Sequence, residues 1–66
     1  MPTGRVRWFK NEKGYGFICN DADQKDIFVH YTEITRSDKQ LKEGEKVEFE
    51  TGYNTKGTFA KNVKVL

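Results

Sequence analysis

With 66 residues and no break in composition, the chain has room for one domain, and a domain that small buries only about 60% of the surface its unfolded chain exposes. The single cysteine, Cys19, excludes an intrachain disulfide; no apolar run approaches membrane-spanning length, and residues 1–7 lack a signal-peptide core. A reducing cytosol is therefore the expected compartment, and no membrane partner is expected. Twelve Lys and Arg against ten Asp and Glu give a net charge of +2, too small by itself to announce a polyanion partner.

The pattern along the chain is mostly period two, broken by turn residues at short intervals. Gly4 to Lys10 predicts a first strand, stopped by Asn11-Glu12-Lys13-Gly14. Tyr15 to Asn20 predicts a second and Lys25 to His30 a third, joined by the four residues Asp21-Ala22-Asp23-Gln24. Tyr31 to Glu45 carries chiefly Ile34 and Leu41 as apolar residues and is expected to be a long connection with one helical turn after His30. Lys46 to Glu50 and Thr58 to Val65 complete the set as fourth and fifth strands. Glu43, Glu45, Glu48 and Glu50 fit a solvated face opposite Val47 and Phe49. Five short strands with no long helical pattern between them predict an all-β, small closed or partly open barrel, since closure removes exposed edges.

Alternation within the second and third strands separates two kinds of side chain. Tyr15 and Phe17 share one face with Ile18 on the other, and Phe28 and His30 share one face with Ile27 and Val29 behind them. A four-residue loop pairs Asn20 with Lys25, which sets Phe17 opposite Phe28, Tyr15 opposite His30 and Cys19 opposite Asp26. The aliphatics belong inside, because a histidine enclosed among core rings needs a hydrogen-bond partner that the sequence does not supply. Gly14 and Gly16 place no side chain between the rings, which admits a flat ligand or, equally, marks a bulge or barrel bend.

Rings left in water forfeit about 1.5–3 kcal/mol each, so an exposed patch of them implies a partner. Six of the nine aromatics (Trp8, Phe9, Tyr15, Phe17, Phe28 and Tyr31) lie between residues 8 and 31, flanked by Arg7, Lys10 and Lys13. Interleaved rings and cations fit a surface that stacks unpaired bases and follows phosphates. The charge distribution agrees: residues 1–13 carry four bases and one acid, and residues 51–66 three lysines and no acid, while the middle of the chain is acidic. An inventory of one histidine and one cysteine, set apart in this register, assembles neither a nucleophile–base pair nor a zinc site, so no enzyme, metal or cofactor is expected.

These residues resemble the bacterial cold-shock proteins and related cold-shock domains. The resemblance rests on Gly4-Arg5-Val6-Arg7-Trp8-Phe9-Lys10, Lys13-Gly14-Tyr15-Gly16-Phe17-Ile18, Phe28-Val29-His30-Tyr31, Leu41-Lys42-Glu43-Gly44 and Ala60-Lys61-Asn62-Val63, and covers nearly the whole chain. Lys13 to Phe17 also fit the ribonucleoprotein motif of the RNA-recognition fold, but Asn20 stands where that motif wants an aromatic and the two helices of that fold are missing. The resemblance implies a single cold-shock domain over residues 1–66, folded as a five-stranded antiparallel barrel of the oligonucleotide-binding type. It also implies a nucleic-acid surface of Arg7, Trp8, Lys13, Tyr15, Phe17, Phe28, His30 and Tyr31, with Phe9 and Lys10 at its margin and Asp26 and Lys56 near the ligand.

Three departures stand out. Thr35-Arg36-Ser37-Asp38-Lys39-Gln40 has no ring where many members carry one; Lys56-Gly57-Thr58-Phe59 replaces the usual Gly-Pro with Gly-Thr and adds Phe59, either a further platform or a core ring; Tyr53 has no assigned role. The expected function is single-stranded RNA and DNA binding by a monomer that acts as a non-catalytic chaperone, with effects on transcription or translation. The alternative is a small-barrel module for proline-rich peptides, which explains the exposed rings but not the basic flanks.

Overall fold

The alternating segments form five strands in a computed structural model that describes residues 2–35 and 40–66. They are β1 (Thr3–Lys10), β2 (Tyr15–Asn20), β3 (Asp26–His30), β4 (Lys46–Asn54) and β5 (Gly57–Val65), with a 3₁₀ turn at Tyr31–Glu33 after β3. Strand order is β1-β2-β3-β5-β4, closed by pairing of β4 with β1. The five-stranded barrel expected from the sequence is thus present. One seam differs from the antiparallel rule: β3 and β5 run parallel through Phe28–Phe59 and Val29–Ala60. The fourth strand continues four residues beyond the expected Glu50, because Thr51–Asn54 pairs with Gly57–Ala60 in a hairpin that Gly52 conceals from a propensity reading. No helix among the described residues is long and apolar enough to cross a membrane.

The β2–β3 hairpin has the register that its loop length dictates. Phe17 lies opposite Phe28, Tyr15 opposite His30 and Cys19 opposite Asp26, and the Asn20 N–H donates to the Lys25 carbonyl at 2.9 Å. Inside the barrel, Val6, Ile18, Ile27, Val29, Ile34, Leu41, Val47, Phe49, Ala60 and Val63 form one buried cluster. Ile34 and Leu41, the two aliphatics of the long connection, are both part of it, at about 1.5–3 kcal/mol apiece. The stretch read as lacking a ring falls largely on residues 36–39, which lie outside the described residues.

Two bulges reset the alternation. In β1 the partner of Val6 is Ile18 and that of Trp8 is Phe17, which leaves Arg7 as an extra residue. Arg7 and Trp8 therefore both face outward, and Phe9 turns inward. In β5 the partners of Glu48 and Glu50 are Lys64 and Lys61, so the bulge lies at Asn62 and Val63. Asn62 adopts φ of 51°, a conformation asparagine tolerates, and its amide donates to Glu50 Oε2 at 2.5 Å. This brings both Ala60 and Val63 to the core across three positions.

Candidate nucleic-acid interface

On the outer face of β1, β2 and β3 the rings touch in sequence. Trp8 packs on Tyr15 at 5.9 Å between centroids and on Phe17 at 5.3 Å. Phe28 lies 5.9 Å from Phe17, edge to face, and 6.0 Å from Tyr15 in a stacked arrangement tilted by 26°. His30 adjoins Tyr31 at 4.6 Å. These are the separations at which aromatic pairs attract, and mutual packing leaves Trp8, Tyr15, Phe17 and His30 half-buried while Phe28 remains 37% exposed. Behind them Ile18 and Val29 have no exposed surface, so the strands divide into rings outside and aliphatics inside.

The 3₁₀ turn orients the histidine. Its Nδ1 lies 3.0 Å from Thr32 Oγ1 and accepts from the Thr32 backbone N–H at 3.4 Å, which leaves Nε2 as the nitrogen available to a ligand. Arg7 crosses the outer face to Asp26, with Nε donating to Oδ1 at 2.6 Å. Hydrogen bonding to Asp26 first, and to Cys19 second, raises the Arg7 guanidinium above its already high ordinary value. Both side chains of the pair are about half exposed, so solvent screens their attraction and a phosphate can compete for the arginine. Lys10 places its ammonium 5.9 Å from the Trp8 ring centroid, a cation–π contact that keeps positive charge beside the first ring. Lys13 in the β1–β2 turn and Lys56 in the β4–β5 turn are exposed at the two sides of the strip.

The geometry revises several readings of individual residues. Phe9, expected at the margin of the surface, instead packs against the core, because the extra residue at Arg7 inverts its facing. Gly16 is buried opposite Phe9, where a Cβ would come within 2.2 Å of the Trp8 carbonyl oxygen; its function is close approach of β1 to β2, not access for a ligand. Gly14 is likewise covered, by the Tyr31 ring. Phe59 is half-buried on the outer face beside Phe28 rather than in the core. Tyr53 lies in β4 opposite Thr58, 78% exposed. Two contributors were not singled out from the sequence. Thr32, whose backbone N–H and hydroxyl meet the Nδ1 of the capping His30, was detectable as a hydroxyl two residues past a strand-terminal histidine; Gly52, which lies under Phe59, becomes visible only once β4 and β5 are paired.

Phe17, Asp26, Phe28 and His30 form one wall of a groove of about 640 Å³ whose other wall is the β4–β5 turn from Asn54 to Phe59. A ring-lined groove on a five-stranded barrel narrows the choice of family, and the family model for the "cold-shock" DNA-binding domain matches residues 2–66. The chain belongs to the cold-shock domain family. Its relatives include the probable cold shock protein A of Mycolicibacterium smegmatis, 49% identical with all of both chains covered. The cold shock-like protein of Aquifex aeolicus is 50% identical over 96% of this chain and 91% of its own. Among solved structures, Drosophila Unr CSD456 superposes with a TM-score of 0.83 at 25% identity; the match takes in 98% of this chain and about a quarter (26%) of that one. The cold-shock domain thus has its fold here as a closed β-barrel of the oligonucleotide-binding type.

Proposed function

We propose that this cold-shock domain binds single-stranded RNA and DNA as a monomer and, without catalysis, metal or cofactor, acts as a nucleic-acid chaperone. The supporting observation is the continuous outer strip of Trp8, Tyr15, Phe17 and Phe28, with ring centroids 5.3–6.0 Å apart and their aliphatic neighbours turned inward. Only an unpaired strand offers base faces to such a strip; a duplex keeps its faces stacked on one another. Bases stack on Trp8, Phe17, Phe28 and His30, and the phosphates face mostly outward toward Arg7, Lys10, Lys13 and Lys56. Tyr15 supports Trp8 and Phe28, Tyr31 supports His30, and Asp26 holds Arg7 on the outer face.

Three or four platforms at about 1–3 kcal/mol each give roughly micromolar or tighter binding after ordering costs. Stacking is tolerant of sequence, with a modest preference for pyrimidines. A protein that binds the coil and not the duplex draws the equilibrium toward coil by mass action, so weak RNA hairpins melt without ATP. Effects on transcription or translation in the cytoplasm follow from that melting. Titration of Trp8 fluorescence with oligothymidine, oligouridine, their duplexes and a proline-rich peptide tests the reading. Quenching by single strands alone is expected; equal quenching by duplex, or by the peptide in their place, would overturn it.

A further inference from the structure

The ring strip continues past β3. Phe28 and Phe59 are direct partners across the parallel β3–β5 seam, so their side chains leave the sheet on the same, outer face. The Phe59 ring lies against the backbone of Gly52, where a Cβ would come within 2.6 Å of Cζ and 3.0 Å of Cε2. One face of the ring is thus fixed on β4, and the side chain as a whole remains half-exposed. A ring held this way loses little freedom when a ligand covers it. Phe28 and Phe59 both line the groove of about 640 Å³, within the range of about 300–1,000 Å³ usual for small-ligand sites.

The electrostatics of the groove suit an anionic strand carrying a flat apolar base. Among the described residues its one carboxylate is Asp26, which is occupied by Arg7 at 2.6 Å, and Lys56 stands exposed on the opposite wall. The Lys56 backbone is anchored by donation of its N–H to Asn54 Oδ1 at 2.8 Å, so the lysine projects from a fixed turn. We infer that Phe59, seated on Gly52, is a further stacking platform that takes one more unpaired base beyond Phe28, with the adjoining phosphate at Lys56. This rests on the single-strand reading above and extends it: the binding strip crosses from the β1–β2–β3 sheet face onto β5 and lengthens the footprint by one nucleotide.

Titration of oligothymidines of increasing length, read by Trp8 fluorescence, tests the inference. Phe59→Leu keeps an apolar cover on Gly52 and removes the ring, Phe59→Gln removes both, and Phe59→Tyr keeps the ring. For the wild type and Phe59→Tyr, affinity rises with length to a common plateau. For Phe59→Leu and Phe59→Gln the plateau comes one nucleotide earlier, long oligomers bind about five- to one-hundred-fold more weakly, and the shortest bind as to wild type. Identical length profiles for wild type and Phe59→Leu would overturn the platform while leaving the single-strand reading intact. Failure of the wild type to bind any oligothymidine would overturn that parent reading and this one with it.

Discussion

Trp8, Phe17 and Phe28 are only partly enclosed, so removing such rings separates binding from folding. The double replacement Phe17→Ala, Phe28→Ala takes away two platforms worth about 2–6 kcal/mol together, and micromolar binding to oligothymidine disappears. Because neither ring belongs to the buried cluster, circular dichroism still shows a cooperative melt. Gly16 behaves in the opposite way. A methyl group there meets the Trp8 carbonyl oxygen and the Phe9 Cα at 2.2 and 2.7 Å, both backbone atoms that cannot rotate aside. Gly16→Ala is expected to lower stability by about 1–3 kcal/mol or more, visible as a drop in the urea midpoint, although it touches none of the stacking faces.

The β2–β3 hairpin is tied to the strands beside it through Asp21. Its carboxylate accepts hydrogen bonds from Thr3 Oγ1 at 2.9 Å and from Lys46 Nζ, linking the loop to the start of β1 and the start of β4. The Lys46 bond first, and the Thr3 bond second, lower the Asp21 carboxyl below the ordinary carboxylate value. A depressed value in the folded state means that the unfolded chain takes up the proton more readily. The stabilisation is therefore present above about pH 4 and is lost as pH falls through the lower folded value. Asp21→Asn should unfold at lower urea than wild type at pH 7, and the gap between the two midpoints should close at acidic pH. Added salt should narrow the same gap at neutral pH, since the pair is partly exposed.

For the molecule as a whole, a net charge of +2 with the excess of bases toward the chain ends is consistent with the proposed binding by stacking more than by counterion release. Among the described residues Arg7, Lys10, Lys13 and Lys56 adjoin the strip, and at about 0.7 per phosphate these four account for a slope of log affinity against log salt of up to about 3. Compensation of Arg7 by Asp26 places the expected slope below that. A steeper slope, measured with oligothymidine by fluorescence titration, would point to phosphate contacts away from the strip. The same weak salt dependence should appear in chaperone assays: the melting midpoint of a weak RNA hairpin falls as protein is added, with no nucleotide cofactor.

The division of residues between barrel interior and binding face was mostly legible in the sequence wherever one hairpin decided it. Loop length and period two suffice to place Phe17 opposite Phe28 and Tyr15 opposite His30, because neighbouring strands joined by a short turn have only one register that buries Ile18, Ile27 and Val29 together. The long connection also announced its two core residues, Ile34 and Leu41, as its only strong apolar positions. Tertiary structure alone decided the rest. The extra residue at Arg7 reverses the faces of Trp8 and Phe9, the bulge at Asn62 brings Ala60 and Val63 to one side, and the parallel seam sets Phe59 beside Phe28. Each of these depends on how strands distant in the chain pair, and local alternation carries no record of an unpaired residue or of a partner that arrives thirty positions later.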